Sequence, residues 1–551
     1  MTATSSLYQS KRPVGIQAAA GIIMADRPII VEAPHIIAAV LPPALIAKAR
    51  PHLPVHTVVL AAVAHAAAFF LGVKMSMRTI RQLPYEHDEL FKGEISHMIP
   101  YHRMYGKSYC VPALTVYRES ELAELQAASE AVHRIYRKVQ QFIQRYMPDE
   151  YLVERLGIHP GLLRAARMEA APDGITRQDW IVGEAGIKCI ENNTDTPTGI
   201  PEVAYLEGKL LEVLRCEGMS RDDIDLHGPS SGMDEAIQSA LTELIHFYSR
   251  KGLGTKVYFT CYEWHIEDQT NTKYIMRLCE QAGFEVVYAP LEELEIIPNE
   301  GLYHRGEQIH ILYRLYPLEY LIEDREEDTG LEVGQALMDM VADGKIGLIN
   351  PPQHIITQSK GFTATVWSLY ERNEQTPAFC GFRLFDEREL EVIQTYLLPT
   401  YFEPSVFLQN KEPYVAKGIW GREGKGTHLI EQPEPEKRLE GVLGVAQNAK
   451  ADQPDLHHQA DAPLTPEQEE AAHIAAYYEE QPKIYQRLWP MQSAEVQTEE
   501  GLFHGYVLTG IFVIGGRFAG VLPRIGEKVT GDMAYYCAAA VANEPSNPPA
   551  V

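Results

Sequence analysis

Two acids, Asp179 and Glu191, stand in strand-like runs on either side of the turn "GEAG" within "TRQDWIVGEAGIKCIENNTD". If the runs form an antiparallel hairpin centred near Ala185, Asp179 faces Glu191 and Arg177 faces Asn193. Side chains alternate with a period of two, so these residues share one face. Opposed carboxylates on paired strands lie about 5 Å apart between Cβ atoms and repel each other. A bound divalent cation removes that cost, and two carboxylates with an amide carbonyl suit Mg2+. A slip of one residue would send the acids to opposite faces. The competing reading of "CIENNTDTPTGIPE" is a polar turn that ends a strand, since Asn, Asp, Thr, Pro and Gly all favour turns.

A second stretch, "YVAKGIWGREGKGTHLIE", reads as a strand carrying Lys417, a glycine-rich turn with Gly421, Gly424 and Gly426, and another strand. Glycines let backbone N–H groups converge on phosphate oxygens, and Lys417 adds a point charge. The stretch matches neither G-x-x-x-x-G-K-[ST] nor G-x-G-x-x-G leading into a helix. A phosphate cradle and a plain hairpin with a basic tip both remain open on these residues alone.

These segments need a scaffold. Apolar residues at helical spacing predict a long amphipathic helix over about 119–148. Residues 256–289 predict a strand, a helix stopped by Gly283, and a second strand. "GYVLTGIFVIGGRFAGVLPRI" predicts a hairpin turning at Gly-Gly. Residues 431–470, poor in aromatics and rich in Pro, Gln, Asp and Glu, predict a flexible surface insertion. Residues 1–75 are apolar and Ala/Pro-rich, without a usable motif.

The 551 residues allow a large core and several structural units. With 49 Lys and Arg against 75 Asp and Glu, the formal net charge of −26 repels phosphate backbones, so nucleic acid is not an expected partner. Seven scattered cysteines without a C-x-x-C pair suit buried thiols in a reducing cytoplasm. The start lacks a charged region followed by an apolar one, so no signal peptide is expected. The Ala-rich run over 58–73 contains His65 and falls short of the roughly 18 to 20 apolar residues of a membrane span.

From about residue 150 to 537 the ordered segments "RQDW", "IENNTDTPT", "IEDQTNTKYIMRLCEQAGF", "NPPQHIITQSKGFTATVWSLY", "VAKGIWGREGKG", "KIYQRLWP" and "GGRFAGVLPRI" resemble the synthetase domain of the glutathionylspermidine synthase family. That group is ATP-grasp-like and joins carbon to nitrogen at the expense of ATP. The resemblance implies that Asp179, Glu191 and Asn193 hold two Mg2+ ions bridging nucleotide phosphates. It implies that Lys360 and Lys417 contact the phosphates, and that Gly421, Arg422, Gly424 and Gly426 close over them. Gln486 and Leu488 stand where the family's segment passes the adenine, and Arg177 and Arg524 match arginines at the acyl-phosphate end. Thr196 and Thr198 stand in the acyl-substrate motif, where the family commonly has serines, and Asn192 replaces a common aromatic residue. Glu267 and Asp268, in a predicted first helical turn, are candidates for holding a polyamine-like cation, although acids there also stabilise a helix through its dipole. The N-terminal Cys/His amidase of bifunctional members has no recognisable counterpart, and Cys110 near His102 reads as structural.

The resemblance implies an α/β (α+β) fold: a metal- and substrate-binding preATP-grasp-like region over 76–345, and a nucleotide-binding region over 346–551 with an antiparallel-sheet lid. The expected function is an ATP- and Mg2+-dependent amide-forming ligase acting on a carboxylate, a small peptide among the candidates, and an amine, through an acyl phosphate. Alternatives are an ATP-grasp-type kinase and a non-catalytic nucleotide-binding protein.

Overall fold

The computed structural model describes residues 5–6, 78–216, 226–433 and 476–542. The apolar N-terminal segment, its Ala-rich run and most of the predicted insertion lie outside the described residues.

After a two-residue strand at Ser5–Ser6, the chain forms strands β1 (Thr79–Gln82) and β2 (Cys110–Arg118), then the long helix α1 (Glu119–Tyr146). A hairpin follows, β3 (Ile175–Gly183) and β4 (Gly186–Asn193). An α/β unit comes next: β5 (Val257–Thr260), α2 (Ile266–Gln281), β6 (Val286–Tyr288), β7 (Ile311–Arg314), the short α3 (Leu318–Leu321), β8 (Gly347–Ile349) and α4 (Lys360–Glu371). Strands β9 (Thr400–Tyr401), β10 (Tyr414–Gly418), β11 (Thr427–Ile430) and β12 (Lys483–Arg487) make a small sheet. The chain ends with β13 (Ser493–Thr498), β14 (Gly501–Ile514), β15 (Arg517–Gly526) and β16 (Tyr535–Ala542).

Among the described residues the largest sheet has nine strands. Its main path runs β1-β2-β16-β15-β14-β3-β4, so the C-terminal strands sit between the two N-terminal groups. All its pairings are antiparallel except β16 with β2. A second, all-parallel sheet runs β6-β5-β7-β8, and the small antiparallel sheet runs β9-β12-β10-β11. This is a mixed α/β architecture with several sheets, as expected.

Helix α1 buries Leu125, Ala128, Val132, Ile135, Val139, Phe142 and Ile143, a stripe at the spacing of one helical face. The stripe joins a core that includes Trp180 of β3, Ile511 and Val513 of β14, and Phe362 of α4. Tyr136 meets Phe362 edge to face at 5.3 Å, which ties α4 to α1. Truncating a side chain such as Ile135 to alanine should cost about 2–5 kcal/mol. The predicted turn glycines do their work: Gly283 after α2 and Gly515–Gly516 between β14 and β15 all have positive φ.

Candidate functional site

The hairpin register is decided by one extra residue. Its turn is Glu184–Ala185, with Gly183 facing Gly186, so centring on Ala185 is off by half a residue. A two-residue turn continued evenly would set Asp179 opposite Ile190 and put the acids on different faces. The register instead shifts between Asp179 and Trp180, leaving Ile190 outside the ladder and pairing Asp179 with Glu191 and Arg177 with Asn193. The expected facing pairs are present, produced by a bulge. Trp180 and Gln178 fill the other face, fully buried.

Asp179 is buried and surrounded by donors. Arg177 Nε donates to Oδ1 at 3.0 Å, Arg524 Nη2 to Oδ2 at 3.0 Å, and Asn193 Nδ2 to Oδ2 at 3.4 Å. Burial works against its charge, but Arg177 and Arg524 outweigh it and hold the carboxyl below its ordinary range. Arg524 belongs to β15, and β14 runs between β15 and β3. The two side chains meet across β14 where Gly510 stands. A Cβ there would lie 3.0 Å from Arg177 Cδ and 3.1 Å from Leu522 Cβ.

Glu191 is held from a different element. Lys360, the first residue of α4, donates from Nζ to Glu191 Oε1 at 2.9 Å and to the Gly421 carbonyl at 2.5 Å. Ser359 caps this helix by accepting from the Gly361 N–H. Lys417 on β10 donates to Gln486 Oε1 of β12 at 2.8 Å and to the carbonyl of the bulged Ile190 at 3.3 Å. Burial pushes its ammonium down to about 8, opposed by the Glu191 charge and helped by Lys360. Leu488 lies just past β12, its N–H bonded to the Pro413 carbonyl.

The oxygen-rich stretch after β4 divides its labour. Asp195 is fully buried and forms a two-point ion pair with Arg314 of β7, while also accepting the Leu318 N–H at 2.9 Å. Gln358 Oε1 accepts the N–H groups of Thr194 and Asp195 at 2.7 and 3.0 Å. Asn350 donates to the carbonyls of both at 3.1 Å. These bonds satisfy a buried turn. Thr196 and Thr198 face the site: Thr196 Oγ1 accepts from Arg422 Nη1 at 3.4 Å, and the Thr198 carbonyl from Arg177 Nη1 at 2.9 Å.

Between β10 and β11 the glycine-rich loop is tightly folded. Gly424 and Gly426 have φ of +74° and +68°, and a Cβ on Gly424 would strike Val529 at 2.7 Å. Gly421 closes a turn onto the Gly418 carbonyl at 3.1 Å. Arg422 Nε and Nη2 both donate to Glu319 Oε1, at 2.8 and 2.5 Å.

Glu267 and Asp268 begin α2, where the His265 ring caps the helix by accepting the Asp268 N–H at 3.3 Å. Burial, with Glu202 and Asp268 adding repulsion, pushes the Glu267 carboxyl up to about 7. Glu202 itself is fully buried and accepts from the hydroxyls of Tyr101 at 2.8 Å and Tyr109 at 3.0 Å. Sequence reasoning missed Glu202, Glu319, Tyr101 and Tyr109. Glu202 closes the "GIPE" segment of the motif and carried the only local hint.

Asp179, Glu191, Asn193, Arg177, Arg524, Lys360, Lys417 and Gln486 are thus joined through direct contacts and the single hairpin. Among the described residues no group of three or more His, Cys, Asp and Glu could hold a metal. The donor set here is two carboxylates and an amide, all oxygen ligands of the kind hard Mg2+ takes, so the residues fit that ion. No helix among the described residues is long and apolar enough to cross a membrane.

Residues 93–451 match the family model described as glutathionylspermidine synthase preATP-grasp. A curated Haemophilus influenzae protein named "Putative acid--amine ligase" is 21% identical over 249 residues, covering 45% of this chain and 52% of that protein. The chain therefore spans about half the length of that curated relative. A solved glutathione synthetase-like effector from Globodera pallida, in apo form, aligns over 77% of this chain and 88% of its own, with 11% identity and a TM-score of 0.44. The family model takes in more than half of the 551 residues, and the chain belongs to the glutathionylspermidine synthase preATP-grasp family.

Proposed function

We propose that this protein is an ATP- and Mg2+-dependent ligase that joins a carboxylate, such as that of a small peptide, to an amine, such as a polyamine-like cation. The observation that carries the reading is the convergence of Lys360 and Lys417, from separate elements, on the β4 hairpin strand that bears Glu191.

A carboxylate does not react with an amine at neutral pH, so ATP must first convert it to an acyl phosphate. Asp179, Glu191 and Asn193 would hold the Mg2+, two ions by family resemblance, whose charge offsets that of the phosphates. Lys360 and Lys417 are the buried cations for the transferred phosphoryl group, a role in which positioning and electrostatics do most of the work. Gln486 and Leu488 flank the nucleotide's far end. Arg177 and Arg524 face the acyl phosphate, with Thr196 and Thr198 on the acyl substrate. Glu267 and Asp268 take the ammonium of the amine, and Gly421, Arg422, Gly424 and Gly426 exclude water that would hydrolyse the activated acid.

The same proposal assigns residues 76–345 to metal and substrates and residues 346–551 to the nucleotide. A cytoplasmic location accords with the six free cysteines among the described residues.

A screen crossing peptides with amines, reading phosphate release and amide mass together, tests the reading, with Asp179→Ala as control. Amide and phosphate in equal amounts, both lost in Asp179→Ala, support it. ADP release without amide across the panel would instead favour phosphate transfer to a non-carboxylate acceptor, and no turnover of ATP would remove the catalytic reading.

A further inference from the structure

Arg422, at the tip of the glycine-rich loop, is fixed by a residue far from that loop in sequence. Glu319 Oε1 takes both Nε and Nη2 of Arg422. The carboxylate is almost wholly enclosed, with 6% of its side chain exposed, and Oε2 is buried without a partner among the described residues. A salt bridge enclosed in this way is a poor stabiliser of a fold unless its ions are needed where they are, since both lose water on burial.

The surrounding bonds close a ring. Helix α3, which carries Glu319, gives its Leu318 N–H to Asp195. Arg422 Nη1 returns to Thr196, the residue after Asp195. The next residue of α3, Tyr320, lies under the Arg422 guanidinium at 5.7 Å and meets the Tyr478 hydroxyl at 2.5 Å. The Tyr478 carbonyl would in turn lie 2.8 Å from a Cβ on Gly426. One short helix therefore holds both the oxygen-rich turn and the loop that covers it.

We propose that Glu319 is a positioning residue: through Arg422 it clamps the glycine-rich loop against the Thr196 turn without nucleotide, and opening of this ion pair sets how fast the site admits and releases its ligand. The clamp stands on the geometry of the Arg422–Glu319 ion pair, and its link to nucleotide rests on the function proposed above. The clamp makes closure an intrinsic state of the chain.

The experiment is a double-mutant cycle on the full-length, nucleotide-free protein, with tryptic cleavage after Lys425 as the readout. Glu319→Gln keeps the shape and removes the charge; Arg422→Gln removes the other partner. Each single change should speed cleavage after Lys425 by about tenfold, the scale of a ~1.4 kcal/mol shift in local opening. The double variant, which leaves no unpaired ion, should be no faster than either single one, and its melting temperature should stay near that of the parent. Unchanged cleavage in the singles, or additive acceleration in the double, overturns the clamp. Should Glu319→Gln fail to fold, Arg422→Gln with hydrogen exchange over residues 419–427 reads the same opening. A separate arm adds Mg2+-ATP to the parent protein. Absence of nucleotide protection beside an intact cycle would sink the nucleotide reading and leave the clamp standing.

Discussion

Asp179 Oδ2 lies 3.0 Å from Arg524 Nη2, although their strands are not neighbours and β14 runs between them. The contact exists because Gly510, on the intervening strand, has no side chain to stand in the way of Arg177 and its neighbours. Gly510→Ala should therefore damage the site more than the fold. Its Cβ presses on Arg177 and Leu522, an overpacking cost of about 1–3 kcal/mol, and displaces the arginine. The check is ATP turnover beside thermal melting: large loss of turnover with a modest melting shift is expected. Full activity would show that Arg177 need not lie where it does.

Asp179→Asn removes the charge that Arg177 and Arg524 share while keeping the shape. The buried Arg177 and the partly exposed Arg524 then face each other without a counter-ion, and the proposed metal loses a charged ligand. Turnover should fall by at least about a hundredfold, the size of loss seen when one preorganised electrostatic group is removed. Affinity for Mg2+-ATP should weaken with it. Retention of both would exclude Asp179 from metal binding.

Lys417 should make nucleotide binding pH-dependent. Its folded pKa is about 8, below the ordinary 10.5, because burial opposes its charge. Between those values the unfolded chain binds more protons, so this group adds stability as pH rises from about 8 towards 10.5 and costs stability below. Phosphate binding needs the charged form, so Mg2+-ATP affinity should fall about tenfold per unit above pH ~8. Lys417→Arg, always charged, should flatten that profile. A parent profile already flat would remove Lys417 from the phosphates.

Glu267 gives an opposite window for the amine. Its folded pKa of about 7 lies above the ordinary 4.5, so the folded state keeps a proton the unfolded state has lost. That contribution is full below pH 4.5 and disappears as pH rises through about 7. An ammonium needs the ionised carboxylate, so amine KM should drop as pH climbs through about 7 while the ATP KM does not follow. Glu267→Gln should abolish the drop and relieve the stability loss on the alkaline side. An amine KM indifferent to Glu267→Gln would rule out this acid as its partner.

Arg314→Met should unfold the chain at lower urea. It strands Asp195 as a buried, unpaired charge, at a cost of about 3–5 kcal/mol. The double change with Asp195→Asn should recover most of that loss, because the penalty comes from the unpaired ion. Equal urea midpoints for single and double variants would contradict this.

Much of the local structure was legible. Helix α1 announced itself by its apolar stripe, the crossover around α2 by Gly283, and the β14–β15 hairpin by Gly515–Gly516, because these depend on residues close in sequence. The facing of Asp179 and Glu191 was anticipated through a turn centre that the chain does not use. A bulge is a local exception to strand periodicity, and here it also frees the Ile190 carbonyl for Lys417. The glycine-rich loop and the turn after β4 read differently once Glu319 and Arg314 come into view. Neither partner carries a motif, and both act through burial, which spacing does not encode.

The sequence by itself determined which groups could meet phosphate, metal and amine, since charge and donor type belong to each residue. It also determined the short-range elements that carry them, since strand alternation and helical spacing are set by neighbours a few positions away. The tertiary structure decided which of those groups share a site. Asp179 meets Arg524 at a sequence separation of 345, and Arg422 meets Glu319 at one of 103, only because the C-terminal strands insert between the N-terminal ones and α3 packs under the loop. Such contacts follow from long-range strand pairing and burial, which depend on the whole chain at once.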